Sequence, residues 1–109
     1  MAEEIEMWKE DVQPPLRAIL RQRDNTVIDL QDAVRVDFRA KDPVSGDLIV
    51  DDKEVQIVDE AEGVIRYSWD KEDTEQVGKF KSWFIVRFPN SDDLHVPNKG
   101  YTPFNVNEE

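Results

Sequence analysis

Hydrophobic and polar residues alternate along most of this chain, and turn residues interrupt the alternation at short intervals. Val34, Val36, Phe38 and Ala40 alternate with Arg35, Asp37, Arg39 and Lys41. Phe80, Ser82, Phe84, Val86 and Phe88 alternate with Lys79, Lys81, Trp83, Ile85 and Arg87. Leu16, Ala18 and Leu20 alternate with Arg17, Ile19 and Arg21. A period of two belongs to a strand with one face buried. Shorter strands are predicted over 26–30, 48–50, 54–58, 64–69, 94–96 and 101–106. Turn signals fall between them at Asp24-Asn25, from Asp42 to Asp47, at Asp51-Asp52, from Glu60 to Gly63, from Pro89 to Asp93 and from Asn98 to Gly100. The polar stretch 70–77 reads as a connection with room for one 3₁₀ turn. Pro103 predicts an edge position for the last strand, because proline cannot donate to a ladder.

The start of the chain breaks this rhythm. Ile5, Trp8 and Val12 recur at spacings of three and four, one face of a short helix. Glu3, Glu4 and Glu6 suit the N-terminal end of its dipole, and Pro14-Pro15 ends it. Residues 1–14 are therefore expected to form an arm or short helix that docks Ile5 and Trp8 on this domain or on a neighbour. Residues 15–109 are expected to form one all-β domain, an immunoglobulin-like antiparallel β-sandwich.

Charge and composition narrow the function classes. The chain has 25 acidic and 14 basic residues, a formal charge of -11. Phosphate contacts need a basic footprint, so nucleic-acid binding is not expected. The excess of carboxylates favours solubility through self-repulsion. No cysteine is present, which excludes disulfides and cysteine-ligated metals. No apolar run is long enough for a transmembrane helix. Met-Ala-Glu-Glu-Ile-Glu lacks the basic start and apolar run of a signal peptide, so synthesis in a cytoplasm is expected.

Candidate chemistry is sparse. His95 is the only histidine, and nothing in the sequence nominates a nucleophile or an orienting acid for it. Asp51-Asp52, Asp70-Glu72-Asp73 and Asp92-Asp93 could offer oxygen ligands, but none has the spacing of a calcium loop. They read as solvated turn carboxylates. Tyr67, Trp69, Trp83 and Tyr101 could form an aromatic platform for a glycan, although core filling explains Tyr67 and Trp69 equally well. The most suggestive feature is the outward side of the long strand. With its phenylalanines inward, Lys81, Trp83, Ile85 and Arg87 face out, and Arg35 and Arg39 face out beside them. Trp, Ile and Arg together have the composition of an interface core. The alternative is that the arm, through Trp8 and Ile5, covers Trp83 and Ile85. No enzyme activity and no cofactor are expected.

Gly63 with Tyr67, the Asp73-Thr74 pair, Gly78 with Phe80, and the closing Pro97-Asn98, Gly100-Tyr101 and Asn105-Val106 occur in a telling order. Together with the turn Arg23-Asp24-Asn25-Thr26, they resemble the amino-terminal domain of the baseplate upper protein family of tailed phages. The resemblance spans about residues 15–106. It implies an immunoglobulin-like virion domain that acts as an adaptor between tail core and receptor-binding parts. The implied partners are other virion proteins and further copies of the chain in a symmetric assembly. Family members often continue into a host-facing module, whereas this sequence stops at Glu109. A connector or decoration subunit, or a glycan-binding adhesion module, is the alternative. A second departure is Phe80, which stands where sandwich corners often carry a tyrosine. Asp73-Thr74 is expected to fasten that connection through side-chain hydrogen bonds.

Overall fold

The computed structural model describes residues 5–13, 15–22, 24, 26–89, 92–96 and 102–108. Among them nine strands form two sheets: β1 (Ile5–Trp8), β2 (Leu16–Ile19), β3 (Arg35–Lys41), β4 (Leu48–Glu54), β5 (Gln56–Asp59), β6 (Val64–Tyr67), β7 (Gly78–Arg87), β8 (Leu94–Val96) and β9 (Thr102–Asn107). The larger sheet runs β1-β9-β7-β3-β4, and β8 pairs with β7. The smaller sheet runs β2-β6-β5. The chain is an all-β sandwich.

The alternation explains the core. Val36, Phe38 and Ala40 of β3 are fully buried, with Phe80, Phe84 and Val86 of β7 beside them. Ile65 and Tyr67 of β6 meet them from the smaller sheet. Phe38 lies at the centre, with its ring centroid 5.0 Å from Tyr67 and 5.1 Å from Phe84. Burying one such side chain contributes about 1.5–3 kcal/mol. The chain changes sheets at Val55, the one residue between β4 and β5, whose N–H donates to Val36 O at 2.9 Å.

Two devices fix the ends of these strands. Gly63 closes the β5–β6 hairpin with φ of +66°, and an added Cβ would lie 2.6 Å from Ile28 O. Only glycine fits both the left-handed backbone and that approach. Beyond β6, the 3₁₀ turn Lys71–Thr74 is fastened from three sides. The Tyr67 hydroxyl donates to Asp73 Oδ2 at 2.5 Å, and the Asp70 N–H donates to the same oxygen at 2.9 Å. The Thr74 hydroxyl donates to Asp11 O at 2.9 Å. Asp73 and Thr74 thus secure the connection that Phe80, lacking a hydroxyl, cannot.

Several expectations are corrected. The predicted helix at the start is strand β1, paired parallel to β9. Ile5 and Met7 point to the core, while Glu6 and Trp8 point away. So short a helix is marginal alone, whereas an open strand edge supplies backbone partners at once. β9 is therefore not an edge. Pro103 keeps its place because β1 pairs only with Phe104 through Asn107. Residues 26–30 form no strand: Val27 bridges Arg21, and Ile28 and Leu30 are simply buried. Asp51-Asp52 is not a turn. β4 runs through it, with Asp52 at φ +46° where the β3–β4 register shifts. The turn expected at Asn98 to Gly100 lies outside the described residues.

Candidate functional site

The register of β3 on β7 builds the outer face of the larger sheet. It pairs Arg35 with Arg87, Asp37 with Ile85, Arg39 with Trp83 and Lys41 with Lys81. β8 adds His95 on the far side of Ile85. Trp83 and Ile85 do face away from the core cluster, as the alternation predicts. They are not exposed, however: Trp83 keeps 9% of its surface and Ile85 3%. The expectation of an open Trp83–Ile85–Arg87 patch is corrected.

A closed ionic lattice is what covers this face. Asp37, itself 1% exposed, accepts from Arg35 Nε at 2.8 Å and from Arg87 Nε at 2.6 Å. One carboxylate thereby separates two arginines that stand directly opposite each other. Arg39 grips Asp52 with two bonds, of 2.9 and 2.7 Å. Arg87 reaches Asp52 at 3.5 Å and Asp93 at 2.8 Å. The Lys41 ammonium lies 5.9 Å over the Trp83 ring. The aliphatic stems of these long side chains cover apolar surface while their heads pair. Hydrogen bonding by Arg39 holds the Asp52 carboxyl below its usual range. Hydrogen bonding to Asp37 raises the Arg87 and Arg35 guanidiniums. The left-handed backbone at Asp52 belongs to the same feature, because the register shift turns its carboxylate to Arg39.

The other expected interface residues scatter. Ile5 is half-buried and packs against the core. Trp8 is 52% exposed at the end of β1, and Lys81 is exposed on β7. Arg35, Arg39 and Arg87 belong to the lattice. The arm does not cover Trp83 through Ile5, since Ile5 points to the opposite side of the sheet. The aromatic platform does not assemble: Tyr67 and Trp69 are core residues, with Trp69 stacked on Phe104 at 5.2 Å. Tyr101 lies outside the described residues. Asp70 pairs with Lys53 at 3.1 Å, and His95 is exposed. Among the described residues no cluster of three or more His, Cys, Asp or Glu side chains is placed to hold a metal ion.

A different face remains open, on the outside of the smaller sheet. Arg17 of β2 stands opposite Arg66 of β6, which stands opposite Gln56 of β5. All three are exposed. The next row holds Ile19, the buried Val64 and Asp59; Ile19 is 49% exposed, and Val58, in the register shift just before Asp59, is 46% exposed. Among the described residues neither Arg17 nor Arg66 is ion-paired. Asp59, at the margin of β5, turns its carboxylate to the Glu62 N–H. Like charges directly opposite in a ladder cost stability. On the larger sheet Asp37 neutralises such a pair, and here no carboxylate does. The outward positions of Arg17 and Ile19 were readable from alternation. Their neighbours on β6 and β5 were not, because sequence does not give cross-strand register.

A concavity of about 520 Å³ lies elsewhere, between the start of β4 and the 3₁₀ turn. Asp42, Asp47, Glu72 and Glu75 line it around Leu48 and Ile49. It shares no residue with the arginine face. No protein-family model matches this chain, and no curated protein matches it.

Proposed function

We propose that this chain is a non-enzymatic structural subunit that works by protein–protein assembly, in the tail or baseplate of a tailed phage. The phage setting comes from the resemblance to the baseplate upper protein family and its immunoglobulin-like domain. Gly63, Tyr67, Asp73 and Thr74, which carry part of that resemblance, are residues that hold the sandwich together and not residues that present reactive groups. The observation that carries assembly as the mode of action is the bare face of the smaller sheet. It sets two unneutralised arginines beside exposed Ile19. A patch of that kind, on the outer face of a sheet, suits another macromolecular surface and not a small substrate.

The test uses Ile19→Glu combined with Arg66→Glu, both at exposed positions. Normal folding with loss of incorporation into particles is the expected result. Normal particles with lost host attachment would sink assembly and favour adhesion. Neighbouring genes for tail-tape and baseplate proteins fit the tail, and portal and capsid neighbours would move the subunit to the head.

A further inference from the structure

The arginine face and the acidic concavity have matching chemistry. Arg17 and Arg66 are direct cross-strand partners, which sets their Cβ atoms about 5 Å apart. Glu72 and Glu75 are three residues apart at the 3₁₀ turn and its C-cap. Residues at that spacing eclipse one another, about 6 Å apart along the turn axis. Two guanidiniums can therefore meet two carboxylates in register. The apolar parts match as well. Ile19 lies in the row next to the arginines, and Leu48, 42% exposed, lines the concavity with the carboxylates and Ile49.

We infer that the outer face of the smaller sheet docks a second copy of this chain, through the partner copy's Glu72–Glu75 and Leu48 surface. This rests on the assembly reading and names its partner. The contact is heterologous, because the two surfaces share no residue. Repetition of a heterologous contact closes a ring or extends a filament. The chain's charge of -11 opposes association over long range. At 0.15 M salt the screening length is about 8 Å, so that repulsion is damped while contact pairs keep most of their strength.

The experiment is sedimentation velocity at 0.15 M salt on purified full chains, with circular dichroism to verify folding. The wild-type chain is expected to self-associate in a concentration-dependent way. Arg17→Glu/Arg66→Glu and Glu72→Arg/Glu75→Arg are each expected to weaken this at least tenfold. Mixing the two variants is expected to restore association, because each supplies the surface that complements the other. A wild-type chain that stays monomeric at millimolar concentration overturns the inference. So does association unchanged by Arg17→Glu/Arg66→Glu, or folded variants that fail to associate on mixing. A monomeric wild type whose Arg17→Glu/Arg66→Glu variant fails to enter particles also overturns it, in favour of a different acidic partner. That last outcome leaves the assembly reading standing, which only failure of the incorporation test removes.

Discussion

Tyr67 and Asp73 are both buried, at 3% and 2% exposure, and they satisfy each other. The Asp73 carboxylate would otherwise sit in apolar surroundings with the Asp70 N–H alone. Burial raises the Asp73 carboxyl above its ordinary range, while the hydrogen bond from Tyr67 pulls the other way. Burial, followed by that same bond, pushes the Tyr67 hydroxyl up. Tyr67→Phe removes the hydroxyl and leaves the carboxylate short of a donor. It is expected to cost about 1–3 kcal/mol in chemical denaturation. A loss below about 0.3 kcal/mol would refute the role given to this bond. The pH dependence has a definite sign. A raised carboxyl binds its proton more tightly in the folded chain. Its contribution to stability is present below about pH 3.9 and is lost as pH rises through the folded value. Asp73→Asn keeps an acceptor for Tyr67 and abolishes this dependence. Asp73-Thr74 was visible in sequence as a fastening pair. Tyr67 was visible only as an aromatic, because its partner lies around a connection whose path the sequence does not specify.

At the scale of strands, alternation was the reliable signal. β2, β3 and β7 fall where period two puts them, and their inward residues form much of the core. β1 misled because Ile5, Trp8 and Val12 fit helical spacing, while the side chains that reach the core are Ile5 and Met7. The orientation of Trp83 and Ile85 was legible, but their cover was not. Arg35, Asp37 and Arg39 are visibly one outward row of β3. That Asp37 joins Arg35 to Arg87 depends on a β3–β7 register that only the folded sheet fixes. Trp83 therefore acts as a packed residue. Trp83→Ala is expected to destabilise by about 3 kcal/mol, the lower end for a large aromatic because it lies under side chains and not in the central core. Trp8→Ala, at a 52% exposed position, is expected to change stability by less than about 0.5 kcal/mol. Thermal unfolding of the two variants side by side is the measurement. Equal losses would mean that Trp83 is as open as Trp8, and the closed lattice would be wrong.

For the whole molecule, the first strand decides whether β9 is an inner or an edge strand of the larger sheet. β1 covers β9, places Met7 in the core, and continues into hydrogen bonds that reach the 3₁₀ turn. The Glu10 N–H donates to Thr74 O at 2.8 Å, and Thr74 returns a bond to Asp11 O. Sequence periodicity separated residues 1–14 from the sandwich; the fold instead makes 5–8 part of its larger sheet. Truncation before Gln13 should therefore act twice. Loss of the Met7 side chain alone opens a cavity that costs about 2–5 kcal/mol. The bared edge of β9 also becomes a template for pairing with other chains. Two measurements separate these effects. Denaturation should show the lost stability at any protein concentration, whereas aggregation from the β9 edge should rise with concentration. Amide exchange in β9 should accelerate in the truncated chain, and a synthetic peptide spanning residues 1–12 should slow it again. If exchange in β9 matches that of the full chain without the peptide, β1 does not hold that edge, and the sandwich is complete without its first strand.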